Sequence, residues 1–360
     1  MARDDDSEER EVSRTTLRGH PVVQAPGKVF LCGEYAVLEG GTAVVAAVNR
    51  HAVGQFLDGS DHESPVIAEA VRLTIAALGD RGAALPAGSI MVDSSALTDQ
   101  TGTLGGFPNP PATDSARAKP ELHPRAGDGK KLGLGSSAAC AVAAVGALME
   151  FAGIPMAGNT DLLFALAEGA HRASQNGVGS GADVAAAAYG GILWYMRPGG
   201  GVPVVRKLPA LTCVELVVFS AGEPASTVDR IRAVAELGRR TPEQHRWLMT
   251  ELRRAADSFI EAMSLGDGRG VIAAARAAGQ IMAALGRAAN VPIVTPALER
   301  AEALAEALGG GAKPSGAGGG DVGVAFLPDR SSAAAFTTRA GAAGITILDL
   351  NIDHQGALRR

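Results

Sequence analysis

Residues 129–140 read GKKLGLGSSAAC, a glycine turn running straight into serine and alanine. The residues that follow, to 151, are almost all small and apolar, with no polar face. Such a helix needs cover on every side, so other elements have to close around it. Its start is as constrained as its body. Gly133 and Gly135 let the backbone pass close to a ligand, and Ser136, Ser137 and Ala138 supply the first helical N–H groups. A helix start presents unpaired donors and the positive end of its dipole, which suits a polyphosphate. A serine hydroxyl there can also reach Mg2+ bridging two phosphates. The chain holds no Walker A sequence, G-x-x-x-x-G-K-[ST], and no GxGxxG after a strand.

Three more segments share this character. Residues 309–323 read GGGAKPSGAGGGDVG, in which Lys313, Pro314 and Asp321 break what would otherwise be a flexible linker, leaving a second anion-cradling turn as the sharper reading. Residues 175–191 read QNGVGSGADVAAAAYGG and put Asp183 at the start of an alanine-rich helix, where it can cap the helix or serve a ligand. Residues 25–41 read APGKVFLCGEYAVLEGG and put Lys28 at a turn between two strands, on local grounds a surface charge.

Around these segments the chain reads as an α+β protein. Short apolar strands are expected at 21–25, 29–38, 42–57, 89–92, 191–196, 213–219, 322–327 and 345–348. Helical spacing marks 66–78, 136–151, 160–174, 182–189, 241–265, 270–289 and 295–308. With 360 residues, two domains are expected: 21–200 and 201–360, divided near the Pro-Gly-Gly-Gly run within 197–209. Residues 1–20 are rich in Asp, Glu and Arg and read as a disordered tail without a signal peptide. Residues 98–129 lack apolar periodicity and read as a flexible insertion leading into the glycine loop.

A net charge of -5 argues against a broad nucleic-acid surface. No apolar run is long enough to span a membrane. Cys32, Cys140 and Cys213 are scattered and form no CxxC pair, so they read as small buried hydrophobes in a reducing cytoplasm.

Taken in order, the four glycine segments resemble the motifs of the GHMP kinase superfamily: APGKVFLCGEYAVLEGG the first, GLGSSAA the second, KPSGAGGGD the third, with Gly-Ser-Gly-x-Asp between the last two. The details resemble the phosphomevalonate kinase branch most. The lead-in is GKKLGLGSS, the Asp183 element is GSGADVAAAAYGG, and the third motif ends at Gly319, Gly320 and Asp321.

The resemblance implies a fold: an N-terminal domain like ribosomal protein S5 domain 2, a ferredoxin-like C-terminal domain, and a site between them. It also implies ATP-dependent phosphorylation of 5-phosphomevalonate with Mg2+, by a monomer or homodimer. The alternatives are a mevalonate kinase, or a non-catalytic homologue that binds metabolites. Lys28 and Asp183 would face the transferred group. Lys131, Gly133, Gly135, Ser136, Ser137 and Ala138 would hold ATP. Glu34, Tyr35, Ser180, Gly181, Lys313, Ser315, Gly316, Ala317 and Gly318 would line the acceptor side. Ser137 and Glu168 would hold the metal. The sequence departs from mevalonate kinases here, because their metal-binding glutamate falls near His171 or Arg172, and Glu168 is the nearest carboxylate. Lys130, Lys131, Lys313, Arg50 and Arg172 are the candidate partners of the acceptor phosphate.

Overall fold

The computed structural model of the chain describes residues 20–58, 64–83, 88–99, 130–199, 201–222, 227–320 and 322–360. The chain begins with β1 (Val22–Cys32) and β2 (Thr42–Asp58), followed by α1 (Pro65–Leu78), α2 (Asp80–Ala83), β3 (Gly88–Asp93) and β4 (Thr98–Asp99). It resumes with β5 (Lys130–Lys131), α3 (Ser136–Phe151), α4 (Thr160–Ser174), α5 (Ala182–Tyr189), β6 (Ile192–Met196) and β7 (Val204–Leu208). The rest comprises β8 (Glu215–Ser220), α6 (Thr227–Arg240), α7 (Pro242–Leu265), α8 (Gly268–Ala289), α9 (Pro296–Glu306), β9 (Gly311–Ser315), β10 (Val322–Leu327), α10 (Arg330–Ala342), β11 (Thr346–Leu348) and β12 (Leu358–Arg359).

Among the described residues the strands form two antiparallel sheets and a small β4–β5 ladder. The first sheet runs β12-β1-β2-β6-β7. Its spine is β2, which pairs with β1 along one edge and with β6 and then β3 along the other. The second sheet runs β11-β8-β10-β9. Numbered within that lobe the order is 4-1-3-2, with helices between its first and second strands and between its third and fourth. That is the ferredoxin-like arrangement.

The small-residue helix α3 is the centre of the first lobe. Every residue from Ala138 to Met149 except Cys140 is buried. The first sheet lies against α3, and α1, α4 and α5 close the remaining sides. The packing is backbone-close: a Cβ on Gly54 of β2 would lie 2.7 Å from the Ala143 carbonyl oxygen. Alanine and glycine at this contact allow a separation that larger side chains would prevent.

The structure differs from the sequence expectations in several places. Lys28 sits inside the single strand β1, not at a turn. Pro26 and Gly27 are absorbed by a register shift against β2, and the strand runs on. The 197–209 stretch is not a plain boundary, since β7 forms an edge strand paired with β6. The chain also returns to the first sheet at its C-terminus, where β12 pairs with β1. The largest apolar core runs through both lobes, from Val29 and Val45 to Phe259 and Phe326, while a further cluster around Phe219, Leu298 and Phe336 lies wholly within 201–360. Finally, His20 stacks edge-on against Phe151 and bonds the Phe56 carbonyl, while the tail expected before it lies outside the described residues. The insertion expected at 98–129 lies outside them too, apart from the two residues of β4.

Asp353 fastens the returning C-terminus. Its Oδ2 lies 2.7 Å from His51 Nε2, and its Oδ1 accepts the Gln355 and Gly356 N–H groups at 2.8 and 2.9 Å. Its backbone pairs with Ala47 and Gly191. Burial pushes the Asp353 carboxyl up, but the His51 contact and the two N–H donors outweigh it, leaving the pKa below the ordinary value. A depressed folded-state pKa stabilises the fold above the unfolded value of about 3.9, and that stability is lost as pH falls through the folded value. Asp353→Ala is expected to cost about 1–3 kcal/mol, because it removes the partner of the buried Gly356 N–H and of the half-buried His51. Urea unfolding monitored from pH 7 to 3 should show the variant's deficit shrinking at the acid end.

Candidate active site

Four glycine segments arrive at one place because β1, α3, α5 and β9 all end or pass there. Gly133 and Gly135 have φ of +74° and +77°, in the left-handed region that favours glycine. Gly135 is also the N-cap of α3. The strand β1 runs directly beside this turn, where Lys28 N–H donates to the Leu134 carbonyl at 2.8 Å. A Cβ at position 135 would come within 3.0 Å of Lys28 Cγ, so the glycine leaves room for the lysine stem.

Lys28 itself is buried. Its ammonium donates to the Gly133 carbonyl at 2.9 Å and lies 3.8 Å from where a Cβ on Gly316 would sit. It thus stands between the α3 loop and the glycine loop after β9. Phe30 backs it, with its ring centre 5.5 Å from Nζ.

The first turns of α3 and α5 meet across α4. Ser137 Oγ lies 3.0 Å from His171 Nε2, and Asp183 Oδ2 lies 3.9 Å from the same nitrogen. Gln175 Nε2 is the third neighbour, at 2.9 Å. His171 is buried, whereas Asp183 keeps partial exposure. The turn that carries Asp183 is braced from behind. The Ser180 carbonyl accepts from Tyr195 Oη at 2.5 Å and from Arg197 Nε at 3.2 Å, and Ser180 Oγ accepts the Ala182 N–H at 3.2 Å. Gly181 holds φ +83° at the α5 N-cap. Burial pushes the Tyr195 hydroxyl up to about 12, against the opposing pull of Arg197, so it stays a donor.

Arg197 also grips Glu168, Nη2 to Oε1, at 2.5 Å. The Glu168 carboxylate is therefore spent on bracing the Asp183 turn. Among the described residues no group of three His, Cys, Asp or Glu side chains is placed to hold a metal. The Ser137 hydroxyl and the Asp183 carboxylate, both hard oxygen donors flanking one histidine, still fit Mg2+ of the kind that takes its other ligands from phosphates and water. They suit it better than Glu168 does.

The residues expected on the acceptor side are largely given to one another. Lys313 donates to Glu34 Oε1 and, at 2.7 Å, to the Pro314 carbonyl, and both charged side chains are almost wholly buried. Ser315 Oγ accepts the Phe30 N–H at 2.8 Å. Tyr35, at φ +61°, donates its hydroxyl to the Ala317 carbonyl at 2.7 Å. Burial raises that hydroxyl's pKa. Gly316, Gly318, Gly319 and Gly320 all have positive φ, and Gly319 N–H is anchored on Ile293. These contacts form the seam between the lobes. Cys32 lies beside it, its thiol pushed up to about 12 by burial despite Lys313, which suits an inert buried thiol. Arg50 and Arg172 are partly exposed. Asp321 and the Lys130 and Lys131 side chains lie outside what is described.

Sequence reasoning missed Arg197, Tyr195, Gln175 and Arg230. Arg230 reaches from α6 to the Pro292 carbonyl at 3.3 Å and the Gly319 carbonyl at 3.5 Å. All four act through the folded arrangement of the chain, so no local motif marks them.

Comparison with known proteins agrees with this layout. The model of the GHMP kinases N terminal domain matches residues 129–191, and that of the GHMP kinases C terminal matches 259–346. A phosphomevalonate kinase from Streptomyces sp. (strain CL190) is 33% identical over 357 residues, covering 88% of this chain and 92% of the relative. The chain belongs to the GHMP kinases, and it is an enzyme of the kinase class. A mevalonate kinase from Aeropyrum pernix is 30% identical over 303 residues, covering 82% of this chain and 85% of the relative. The fold superposes on Streptococcus pneumoniae phosphomevalonate kinase in complex with phosphomevalonate and AMPPNP, with TM-score 0.74 and 21% identity, covering 92% and 99% of the two chains.

The Glu34–Lys313 pair makes a direct prediction. Removing one member strands a buried charge, so Lys313→Met should cost about 3–5 kcal/mol, and pairing it with Glu34→Gln should restore much of the loss. Equilibrium unfolding of the two single variants and the double variant measures this. Additive losses would show that the two side chains do not act as a pair.

Proposed function

We propose that the enzyme transfers the γ-phosphoryl group of ATP to 5-phosphomevalonate, giving 5-diphosphomevalonate and ADP. The observation that carries this is the position of Lys28, a buried ammonium held between the glycine turn of α3 and the glycine loop after β9. The acceptor is argued from the relative at 33% identity, a phosphomevalonate kinase.

Phosphoryl transfer asks for alignment and for neutralisation of oxygens more than for covalent chemistry. The loop 133–138 binds the nucleotide phosphates on the N–H groups that open α3. Mg2+, when bound, would supply neutralising charge to the phosphates, and Ser137 and Asp183 would hold it. Lys28 faces the attacking and the transferred oxygens and offsets their repulsion. The acceptor phosphate has a second pKa of about 6, so near neutral pH its attacking oxygen already lacks a proton. A base is therefore not required, and Asp183 serves by holding charge in place rather than by taking a proton. The first lobe, 21–200, binds nucleotide, and 201–360 contributes the loop 316–320 that closes the acceptor side.

A coupled assay of ADP release tests this function with 5-phosphomevalonate and mevalonate offered separately. Turnover is expected on the phosphorylated acceptor, and turnover on mevalonate alone would overturn it. Lys28→Met should lower kcat by about 10²–10³-fold, the loss typical of one preorganised donor. Full activity in that variant would remove Lys28 from the site. For Asp183→Asn, a kcat loss of about 10²–10⁴-fold together with disappearance of an acid limb in the pH–rate profile would indicate a general base and sink the charge-holding role of Asp183.

A further inference from the structure

His171 is a buried imidazole at the meeting of α3, α4 and α5, and its hydrogen bonds decide what its neighbour can do. Gln175 presents its amide nitrogen to His171 Nε2 at 2.9 Å, while a Cβ on Gly179 would meet the other amide atom, Oε1, at 3.3 Å. An amide nitrogen donates and has no lone pair to offer. With the Gln175 amide turned this way, Nε2 is the acceptor and the ring hydrogen falls to Nδ1. Ser137 Oγ lies 3.0 Å from the same Nε2. A hydroxyl has one hydrogen and two lone pairs. Facing an acceptor nitrogen, Ser137 has to point its hydrogen at His171. Both of its lone pairs are then turned away from the histidine, at the first turn of α3 and beside the Asp183 carboxylate.

We propose that His171, fixed by Gln175, is a positioning residue that makes Ser137 an acceptor only, so that Ser137 serves the nucleotide's divalent cation rather than donating to a phosphate oxygen. The inference rests on the reading of this loop as a nucleotide site, and it does not depend on the acceptor substrate. A serine left free to rotate would divide its time between bonding a phosphate oxygen and binding the cation. Holding its hydrogen on His171 removes the first option. The Asp183 Oδ2 lies 3.9 Å from Nε2, on the same histidine nitrogen as Ser137 and too far for a hydrogen bond to it. The α4 helix positions His171, and Gln175 at its C-cap stands one turn further on, on the same face.

Calorimetry with AMPPNP, in the presence and absence of MgCl2 and without any acceptor, tests this. His171→Leu is expected to weaken AMPPNP binding about 10–100-fold when Mg2+ is present, the usual cost of losing a partner that orients a metal ligand. Binding without Mg2+ should be unchanged. His171→Gln can place an amide oxygen near the position of Nε2 and should restore Mg2+-dependent binding. The double variant Ser137→Ala with His171→Leu should bind no more weakly than Ser137→Ala alone. Equal losses with and without Mg2+, or a glutamine variant as weak as the leucine one, would overturn the proposal. Thermal unfolding run alongside identifies a variant that has failed to fold. If His171→Leu is one, His171→Asn, whose amide is too short to reach Ser137, takes its place with the same expectation. Failure of the wild-type protein to bind AMPPNP under either condition would instead overturn the nucleotide reading on which the proposal stands.

Discussion

Glu34 and Lys313 meet in the seam between the two sheets, one just past the end of β1 and the other in β9. Taking both charges out of water costs more than a surface pair would return, so the contact specifies geometry as well as stability. It fixes the end of β1 against β9. The Phe30–Ser315 and Tyr35–Ala317 hydrogen bonds cross the same seam and leave little freedom to slide. Because Lys28 lies on β1 and Gly316 follows β9, this seam also decides the distance between the lysine and the second glycine loop. The proposed catalytic arrangement depends on it whether or not either member of the pair touches substrate.

Small residues make a comparable closeness possible elsewhere. The helix α3 can lie against β2 at backbone distance only because Gly54 meets Ala143 and the helix offers alanine on every side. A bulkier helix would stand farther from the sheet, and its first turn would no longer reach the strand that carries Lys28. The alanine-rich composition and the position of the phosphate loop are thus one constraint, expressed once in packing and once in function.

Much of this is legible in the sequence. The helices expected from apolar spacing are each present within a few residues of their expected ends, because tertiary burial and local periodicity agree there. The glycine turns are legible because glycine before a serine–alanine run leaves few conformations open. What escapes depends on partners far along the chain. Lys28 has the local signature of a turn residue since Pro26 and Gly27 precede it, yet pairing with β2 absorbs both as an irregularity in one strand. The helix α6 is short of apolar residues, and one of its three buried side chains, Arg230 beside Val234 and Leu237, is itself charged. The short edge strand β12 has two exposed residues and exists because of β1. The Glu34–Lys313 contact escapes as well, because nothing within either motif says that the other, 279 positions away, is its partner. The Glu168–Arg197 contact escapes for the same reason, since only the fold brings Arg197 to the carboxylate.

The meeting of α3 and α5 carries the electrostatic logic of the site. Each helix directs the positive end of its dipole towards the space around His171. Two such ends attract anionic phosphates and would also draw in any carboxylate. Asp183 already occupies the first turn of α5, and its Oδ1 accepts the Val184 N–H at 3.0 Å. A carboxylate and a polyphosphate side by side repel each other unless a cation lies between them. On the proposed reading, the helix ends favour phosphate at this place, and the aspartate favours its coming with a cation. Lys28 meets the same requirement on the other side. Its buried ammonium donates to the Gly133 carbonyl, which holds it beside both glycine loops, where the proposed transfer would take place.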